Sequence, residues 1–120
     1  SMFREEMDHQ ISYVLVVEDK VIGYVCAWRL LEEVDITNLG ISSKFQRLGW
    51  GRILLDFLLR KLAGEGFNAV YLEVRESNEK ARRFYQKMGF EETGRRIGYY
   101  NSPCEDALIM TRQLDTERKE

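Results

Sequence analysis

The sequence predicts a mixed α+β fold, in which a mostly antiparallel sheet surrounds one parallel strand–helix–strand unit. Three observations predict it. Runs rich in β-branched and aromatic residues lie in both halves of the chain. A strongly apolar run with helical spacing separates two of them near the middle. Because a helix that joins two strands of one sheet crosses over it, those two strands are expected to run parallel.

The length and composition predict one domain, with residues 1–114 as its body and residues 115–120 as a charged, frayed tail. A chain of 120 residues that is 44% hydrophobic can bury a core. The net charge of −2 argues against broad nucleic-acid binding, and no apolar run reaches the length of a membrane span. His9 is the single histidine and cannot build a metal site, while Cys26 and Cys104 do not suggest a disulfide framework. A reduced, cytoplasmic protein without a metal is expected.

The first predicted elements are a short helical end and a β-hairpin. Residues 1–9 are predicted to end a helix, because Phe3 and Met7 lie four residues apart on one face. Residues 13–17 and 21–30 are predicted as the two strands of a hairpin, because three charged residues separate these β-rich runs. The antiparallel part of the sheet is therefore expected to begin here.

The middle of the chain predicts a strand, a turn, a helix and a second strand. The strands are predicted over residues 34–41 and 69–74. The helix is predicted over residues 53–62 and is expected to end in the glycine-containing stretch 64–66. Its predicted buried residues are Ile53, Leu54, Phe57, Leu58 and Leu62.

The last third predicts one helix and two closing strands. The helix covers residues 78–88, and the glycine that follows it is a natural left-handed terminator. Its predicted apolar face consists of Ala81, Phe84, Tyr85 and Met88. The closing strands are predicted over residues 90–95 and 107–114. The irregular loop predicted between them contains Tyr99 and Tyr100.

The stretch over residues 46–52, Gln-Arg-Leu-Gly-Trp-Gly-Arg, lies between the predicted middle strand and its helix. The first amides of a helix have no partner within it, and the helix dipole favours negative charge there. Gly49 and Gly51 lack Cβ atoms, so the backbone can bend sharply and approach a phosphate closely. Arg47 and Arg52 add positive charge. We interpret the stretch as a diphosphate cradle; the alternative is an ordinary strand-to-helix turn whose glycines relieve strain.

The element order and several separated motifs resemble the GCN5-related N-acetyltransferase (GNAT) superfamily. Residues 46–51 match the Gln-Arg-x-Gly-x-Gly pattern of its acetyl-CoA pyrophosphate motif. Further motifs resemble the RimI-type ribosomal-protein alanine N-acetyltransferases, namely Leu-Glu-Val-Arg-Glu-Ser-Asn at 72–78, Phe-Tyr-Gln-Lys-Met-Gly-Phe at 84–90, Arg-Arg-Ile-Gly-Tyr-Tyr at 95–100 and Glu-Asp-Ala-Leu-Ile-Met at 105–110. The resemblance extends over residues 1–114 and implies the GNAT fold. Members of the family carry a further strand and helix ahead of the position of Ser1.

The resemblance implies acetyl-CoA as co-substrate and a set of residues that bind it. These residues are Leu39, Gly40, Ile41, Gln46, Arg47, Leu48, Gly49, Trp50, Gly51, Arg52 and Asn78. The first three would contribute backbone groups of their strand, with a backbone amide as the oxyanion donor. Asn78 is equally suited to cap the second helix, and both roles are compatible.

The resemblance also implies two catalytic residues, with Glu73 as the proton acceptor and Tyr85 as the proton donor to the departing CoA thiolate. Strand alternation puts Glu73 on the face opposite Leu72 and Val74, so a solvent-facing charge is the alternative for it. Tyr85 shares an apolar helix face, so a core aromatic is the alternative for it.

Three residues are candidates for substrate binding. Glu33, together with its acidic neighbours Glu32 and Asp35, would attract a cationic amine or be part of a solvated strand start. Tyr99 and Tyr100 would line a peptide groove or cover the end of the sheet.

The first hypothesis for function is acetyl transfer from acetyl-CoA to a protein α-amine, which the resemblance identifies as the N-terminal alanine of a small-subunit ribosomal protein. Direct attack in a ternary complex is expected, because no cysteine lies in the motifs as an acyl carrier. The alternatives are an N-acetyltransferase for a small amine, such as a polyamine, amino acid or drug, and a CoA-binding module without activity. Neither direct nucleic-acid binding nor membrane association is expected.

Overall fold

The computed structural model describes residues 9–115, which form one six-stranded sheet and two α-helices. The strands are β1 Gln10–Val17, β2 Lys20–Leu30, β3 Glu33–Ile41, β4 Ala69–Arg75, β5 Glu91–Tyr100 and β6 Glu105–Gln113. The helices are α1 Trp50–Gly64 and α2 Glu79–Lys87, and a 3₁₀ turn, Ser43–Phe45, precedes α1. The helical end predicted over residues 1–9 and the tail predicted over 115–120 lie, apart from His9 and Asp115, outside the described residues.

The sheet has the strand order β1-β2-β3-β4-β6-β5. Strands β3 and β4 run parallel, and the other neighbouring pairs run antiparallel. The mixed α+β fold with a parallel strand–helix–strand core is thereby confirmed. The predicted hairpin is confirmed as well, because Glu18 and Asp19 close a tight turn between β1 and β2 with positive φ angles of 51° and 67°.

Helix α1 packs on the sheet through a stripe of leucines. The buried residues of the helix are Leu54, Leu55, Leu58, Leu59 and Leu62. The prediction that Ile53 and Phe57 are buried is wrong, since they are 51% and 46% exposed and lie beside this stripe. The Phe57 ring instead meets the Tyr13 ring edge-on, with 5.1 Å between the ring centres. Apolar residues lie on more than one face of α1, so the periodicity alone does not determine which face packs on the sheet.

Helix α2 begins and ends where the sequence predicts. The side-chain Oδ1 of Asn78 accepts a hydrogen bond from the backbone N–H of Ala81 at 3.1 Å, which caps the helix. Gly89 terminates the helix in the left-handed conformation, with φ of 93°. The predicted apolar face of α2 packs on the same hydrophobic cluster as the leucines of α1. Both helices therefore cover one face of the sheet.

Strand β5 is longer than predicted and runs to Tyr100, so Tyr99 and Tyr100 lie in a strand and not in a loop. Its pairing with β6 is irregular after Arg96 and resumes where Tyr100 meets Glu105. Gly98 has φ of 62°, and its backbone N–H donates a hydrogen bond to Asp106 Oδ1 at 2.8 Å. The left-handed conformation of Gly98 and its hydrogen bond to Asp106 allow β5 to continue past the irregular pairing, beyond the end that the sequence pattern predicts.

The face of the sheet away from the helices carries polar and aromatic side chains. Register places Trp28 beside Asp35 and Asp35 beside Tyr71, so these side chains share that face, and alternation adds Glu73. The opposite face is the core, with Val34, Val70 and Leu72 among its buried members. Neither helix within residues 9–115 has the length and apolar character needed to span a bilayer.

Candidate active site

The two parallel strands in the middle of the sheet separate to form a fork. Their pairing covers three positions, Glu33 with Ala69, Val34 with Val70 and Asp35 with Tyr71. Beyond these positions β3 continues to Ile41 and β4 to Arg75. The separated strand ends therefore leave backbone groups of β3 facing an opening in the sheet instead of a neighbouring strand.

A cleft of about 860 Å³ lies at this opening, between the end of β3, the start of α1 and one face of α2. Its lining is Leu39, Gly40, Ile41, Gln46, Arg47, Gly49, Gly51, Arg52, Asn78, Lys80, Ala81, Phe84, Tyr85, Lys87 and Met88. Every predicted cofactor-binding residue borders it except Leu48 and Trp50. Leu48 is 65% exposed.

The loop that opens α1 has the geometry of an anion site. Gly49 is the N-cap residue and has φ of 91°, a conformation that residues with a Cβ atom rarely adopt. The first helical hydrogen bond joins Ile53 N–H to the Gly49 carbonyl oxygen at 3.1 Å, so the amides just before Ile53 have no partner inside the helix. Gln46 Nε2 donates to the Ile41 carbonyl oxygen at 2.8 Å and ties the loop to the end of β3.

This loop fits the pyrophosphate of a coenzyme. The space beside Gly49 is open, because a Cβ atom placed there meets no atom within 4 Å. Arg47 and Arg52 border the same cleft and supply positive charge. Free amides at a helix N-terminus, an open approach and two cations are what a diphosphate group requires.

Tyr85 lies in α2 and borders the cleft. Its ring packs edge-on against the rings of Phe84 and Phe90, with centre separations of 5.1 and 5.5 Å. Burial raises the pKa of the Tyr85 hydroxyl, which keeps it protonated at neutral pH. The residue is therefore part of the core packing and also a proton-bearing group at the cleft.

Glu73 lies in β4, two residues beyond the last pair of the fork, and does not border the cleft on the helical side. Its carboxylate accepts a hydrogen bond from Arg96 Nε in strand β5. The Arg96 guanidinium also lies over the Tyr99 ring, 5.5 Å from its centre. The structure thus joins Glu73 to one of the two predicted substrate tyrosines through an arginine.

Asp35 is a residue whose burial could not be predicted from the sequence. It is half-buried at the base of the fork, and burial raises the pKa of its carboxyl, with a further rise from the Glu73 charge and an opposing effect of Arg96. Burial is also the main cause of the raised pKa of Tyr71, and the Asp35 charge adds the next largest contribution. The register between β3 and β4, which brings these groups together, is not readable from alternation within either strand.

The predicted substrate residues Tyr99, Tyr100 and Glu33 have different surroundings. Tyr99 is 52% exposed and meets Tyr100 edge-on, with 5.1 Å between ring centres. The Arg75 guanidinium covers the Tyr100 ring at 4.1 Å and pairs with Glu105 at 3.1 Å. Glu33 is exposed at the start of β3 and does not border the cleft.

The split parallel pair and the anion-binding helix start agree with an acyl-CoA-dependent N-acyltransferase, the class that the resemblance implies. The chain belongs to the acetyltransferase (GNAT) family, whose family model matches residues 2–90. It is accordingly an acetyl-CoA-dependent N-acetyltransferase.

The chain is similar in sequence to curated N-acetyltransferases. The chain is 34% identical over 106 residues to a [ribosomal protein bS18]-alanine N-acetyltransferase of Haemophilus influenzae, which covers 86% of this chain and 72% of the relative. It is 32% identical over 105 residues to the protein of the same name from Escherichia coli, covering 86% and 71%.

Solved structures agree with the fold. The crystal structure of the ribosomal-protein-S18-alanine N-acetyltransferase from Escherichia coli superposes with a TM-score of 0.87 at 29% identity, covering 99% of this chain and 79% of that one. A GNAT family acetyltransferase from Elizabethkingia anophelis with acetyl-CoA bound gives 0.83 at 22% identity, covering 94% and 82%. The second likeness concerns the fold alone.

Proposed function

We propose that this chain transfers the acetyl group of acetyl-CoA to the N-terminal α-amine of a protein, specifically to the N-terminal alanine of a small-subunit ribosomal protein. The observation that carries the proposal is the fork, with an anion loop and Tyr85 at its cleft and Glu73 on the opposite face of β4. Relatives at 32–34% identity named as bS18-alanine N-acetyltransferases support the choice of acceptor.

Acetyl-CoA would lie along the cleft with its pyrophosphate at the start of α1. The amides between Gly49 and Ile53 would bind the phosphate oxygens, and Arg47 and Arg52 would offset their charge. The unpaired end of β3, from Leu39 to Ile41, would hold the pantetheine arm and offer a backbone N–H to the thioester oxygen. Such a donor stabilises the negative charge that develops on that oxygen during attack.

Glu73 would accept the proton of the attacking amine. At neutral pH an α-amine, with an ordinary pKa of about 7.7–8.0, is deprotonated at a cost of roughly 1 kcal/mol, whereas a lysine amine near 10.4 costs roughly 4–5 kcal/mol. A single carboxylate on the acceptor side is a strong enough base to deprotonate the α-amine. It is too weak to deprotonate a lysine amine efficiently. Arg96 would be a positioning residue, because its Nε donates to the Glu73 carboxylate and so fixes its direction.

Tyr85 would protonate the CoA thiolate as it leaves. Its hydroxyl is held neutral by burial and borders the same cleft as the cradle, so it would carry a proton to the departing group. The amine attacks the thioester carbon directly, the carbon–sulfur bond breaks, and the thiolate takes the proton from the tyrosine. No acyl-enzyme forms on this route.

Acetyl-CoA turnover against a peptide panel tests the proposal. The peptides differ only in their first residues, and spermidine and free lysine serve as small-amine acceptors. We expect the highest kcat/KM for the peptide that begins with alanine. Faster turnover with spermidine or lysine would favour the small-amine enzyme instead. CoA binding without turnover of any acceptor would favour the non-catalytic module.

A further inference from the structure

A second, smaller cavity of about 340 Å³ lies beside the cleft, between the start of α1, the end of α2 and strand β6. Arg52, Asp56, Lys87, Met88, Gly89 and Arg112 border it. Three of these residues, Arg52, Lys87 and Met88, also border the main cleft. The two cavities are therefore neighbouring parts of one surface depression.

The charges around this cavity are unbalanced. Arg52, Lys87 and Arg112 are cationic, and within residues 9–115 none of the three forms an ion pair. Among the residues that the structure describes, Asp56 is the one acidic residue on the border, and its carboxylate accepts a hydrogen bond from Arg60 Nε at 2.8 Å. The cavity thus presents three positive charges that no carboxylate of the described chain neutralises.

Arg112 is fixed in place on the floor of this cavity. Its Nη1 donates to the Met88 carbonyl oxygen at 2.6 Å, and the side chain is partly buried. The backbone that follows α2 also lies close to the Arg112 side chain, since a Cβ atom on Gly89 would lie 3.0 Å from Arg112 Cδ and Nε. A guanidinium held in this way loses little conformational entropy when it binds an anion.

We propose that this cavity binds a phosphate monoester, and that its occupant is the 3′-phosphate of coenzyme A. A phosphate monoester carries about 1.5 to 2 negative charges near pH 7, which matches a site with three unpaired cations. Arginine forks bind such groups through paired N–H donors. The proposal rests on the acetyl-CoA site proposed above, and Arg52 links the two, because it lies in the first turn of α1 and borders both cavities.

The site would allow the protein to distinguish coenzymes that differ only in the 3′-phosphate, a group far from the reacting thioester. The acetyl thioester and pyrophosphate are the same in acetyl-CoA and in 3′-dephospho-acetyl-CoA. Residues Lys87 and Arg112 would therefore affect affinity for the first coenzyme more than affinity for the second. They would influence KM for acetyl-CoA more than kcat.

Calorimetric titration with CoA and with 3′-dephospho-CoA tests the proposal. We expect the protein to bind CoA at least about tenfold more tightly, on the scale of one charge-assisted hydrogen bond. In Lys87→Met and in Arg112→Met this ratio should fall several-fold towards one, because the Kd for CoA rises more than the Kd for dephospho-CoA. Lys87 is exposed, so its variant keeps the test valid if Arg112→Met fails to fold. Lys61→Met, which removes the same charge from the far end of α1, should leave the ratio unchanged.

Equal affinity of the unmodified protein for the two coenzymes would overturn the proposal, as would a ratio that both variants preserve. Inorganic phosphate titrated into the dephospho-CoA complex separates the two sources of phosphate. Tight binding of free phosphate, with no preference between the coenzymes, would also contradict the 3′-phosphate assignment. If neither coenzyme binds, the proposed function itself fails, which is a different result from the loss of discrimination.

Discussion

Tyr85→Phe separates a catalytic tyrosine from a purely structural one, because the two side chains differ by one oxygen atom. The ring keeps its edge-on contacts with Phe84 and Phe90. Among residues 9–115 no group hydrogen-bonds the Tyr85 hydroxyl, so the substitution breaks no such bond there. We expect the free energy of unfolding to change by no more than about 0.5 kcal/mol. Loss of a general acid should instead lower turnover by about 10²–10⁴-fold, or roughly 3–5 kcal/mol in the barrier.

The assay compares two acyl donors, acetyl-CoA and an acetyl thioester of CoA-like shape whose thiol is more acidic. A thiol that leaves readily as the anion needs less help from a proton, so the variant should be slowed less with that donor. Calorimetry with CoA and urea denaturation serve as controls for binding and folding. Equal slowing with both donors, or a collapse of the melting temperature, would leave Tyr85 as a core residue and remove the acid from the mechanism.

Three further predictions concern the base, the cradle and the acid stability of the fold. Glu73→Gln should lower turnover at pH 7 by about 10²–10⁴-fold with little change in CoA affinity, and the deficit should shrink at higher pH, where the amine is already neutral. Gly51→Val should abolish CoA binding in calorimetry while helix α1 still folds, whereas Gly64→Val in the last turn of the same helix should bind normally. Hydrogen bonds to the charged forms of Glu105 and Asp106 lower the pKa of both carboxyls, so they stabilise the fold above their ordinary pKa values. That contribution is lost as the pH falls through the lowered values, and the loss in urea midpoint below about pH 4 should be smaller in the Glu105→Gln, Asp106→Asn double variant.

Each of these results has a clear opposite. Wild-type turnover of Glu73→Gln at pH 7 would make that carboxylate a surface charge. Unchanged CoA affinity of Gly51→Val would refute the cradle. An unaltered acid transition in the double variant would show that the contacts of these two carboxylates do not contribute to stability.

Local signals were enough to predict the elements and the glycine-containing turn at the start of α1. Asn78 and Gly89 are residues with specific preferences for the start and end of a helix, and α2 begins and ends at them as predicted. The parallel relation of β3 and β4 follows from the helix between them. The choice of the buried face of α1 could not be predicted, because five leucines as well as Ile53 and Phe57 are apolar residues of this helix. Which of them are buried depends on how the helix packs on the sheet.

The features that depend on pairing between distant strands could not be predicted. The fork arises because β4 pairs along its whole length with β6 and over three positions with β3. The ion pair of Glu73 with Arg96 requires the register of β4, β6 and β5 together. The same holds for Asp35, whose partial burial comes from its neighbours on other strands and not from its own acidic surroundings in sequence.

The most direct test of the proposed function is the position of the acetyl group on a single peptide that carries both kinds of amine. The peptide begins with alanine and contains one internal lysine, so both acceptors are present at the same concentration. Tandem mass spectrometry of the product after incubation with acetyl-CoA locates the added acetyl group. The account predicts acetylation of the α-amine, because one carboxylate base at the fork serves an amine of low pKa. Acetylation at the lysine, or at both sites at similar rates, would contradict it.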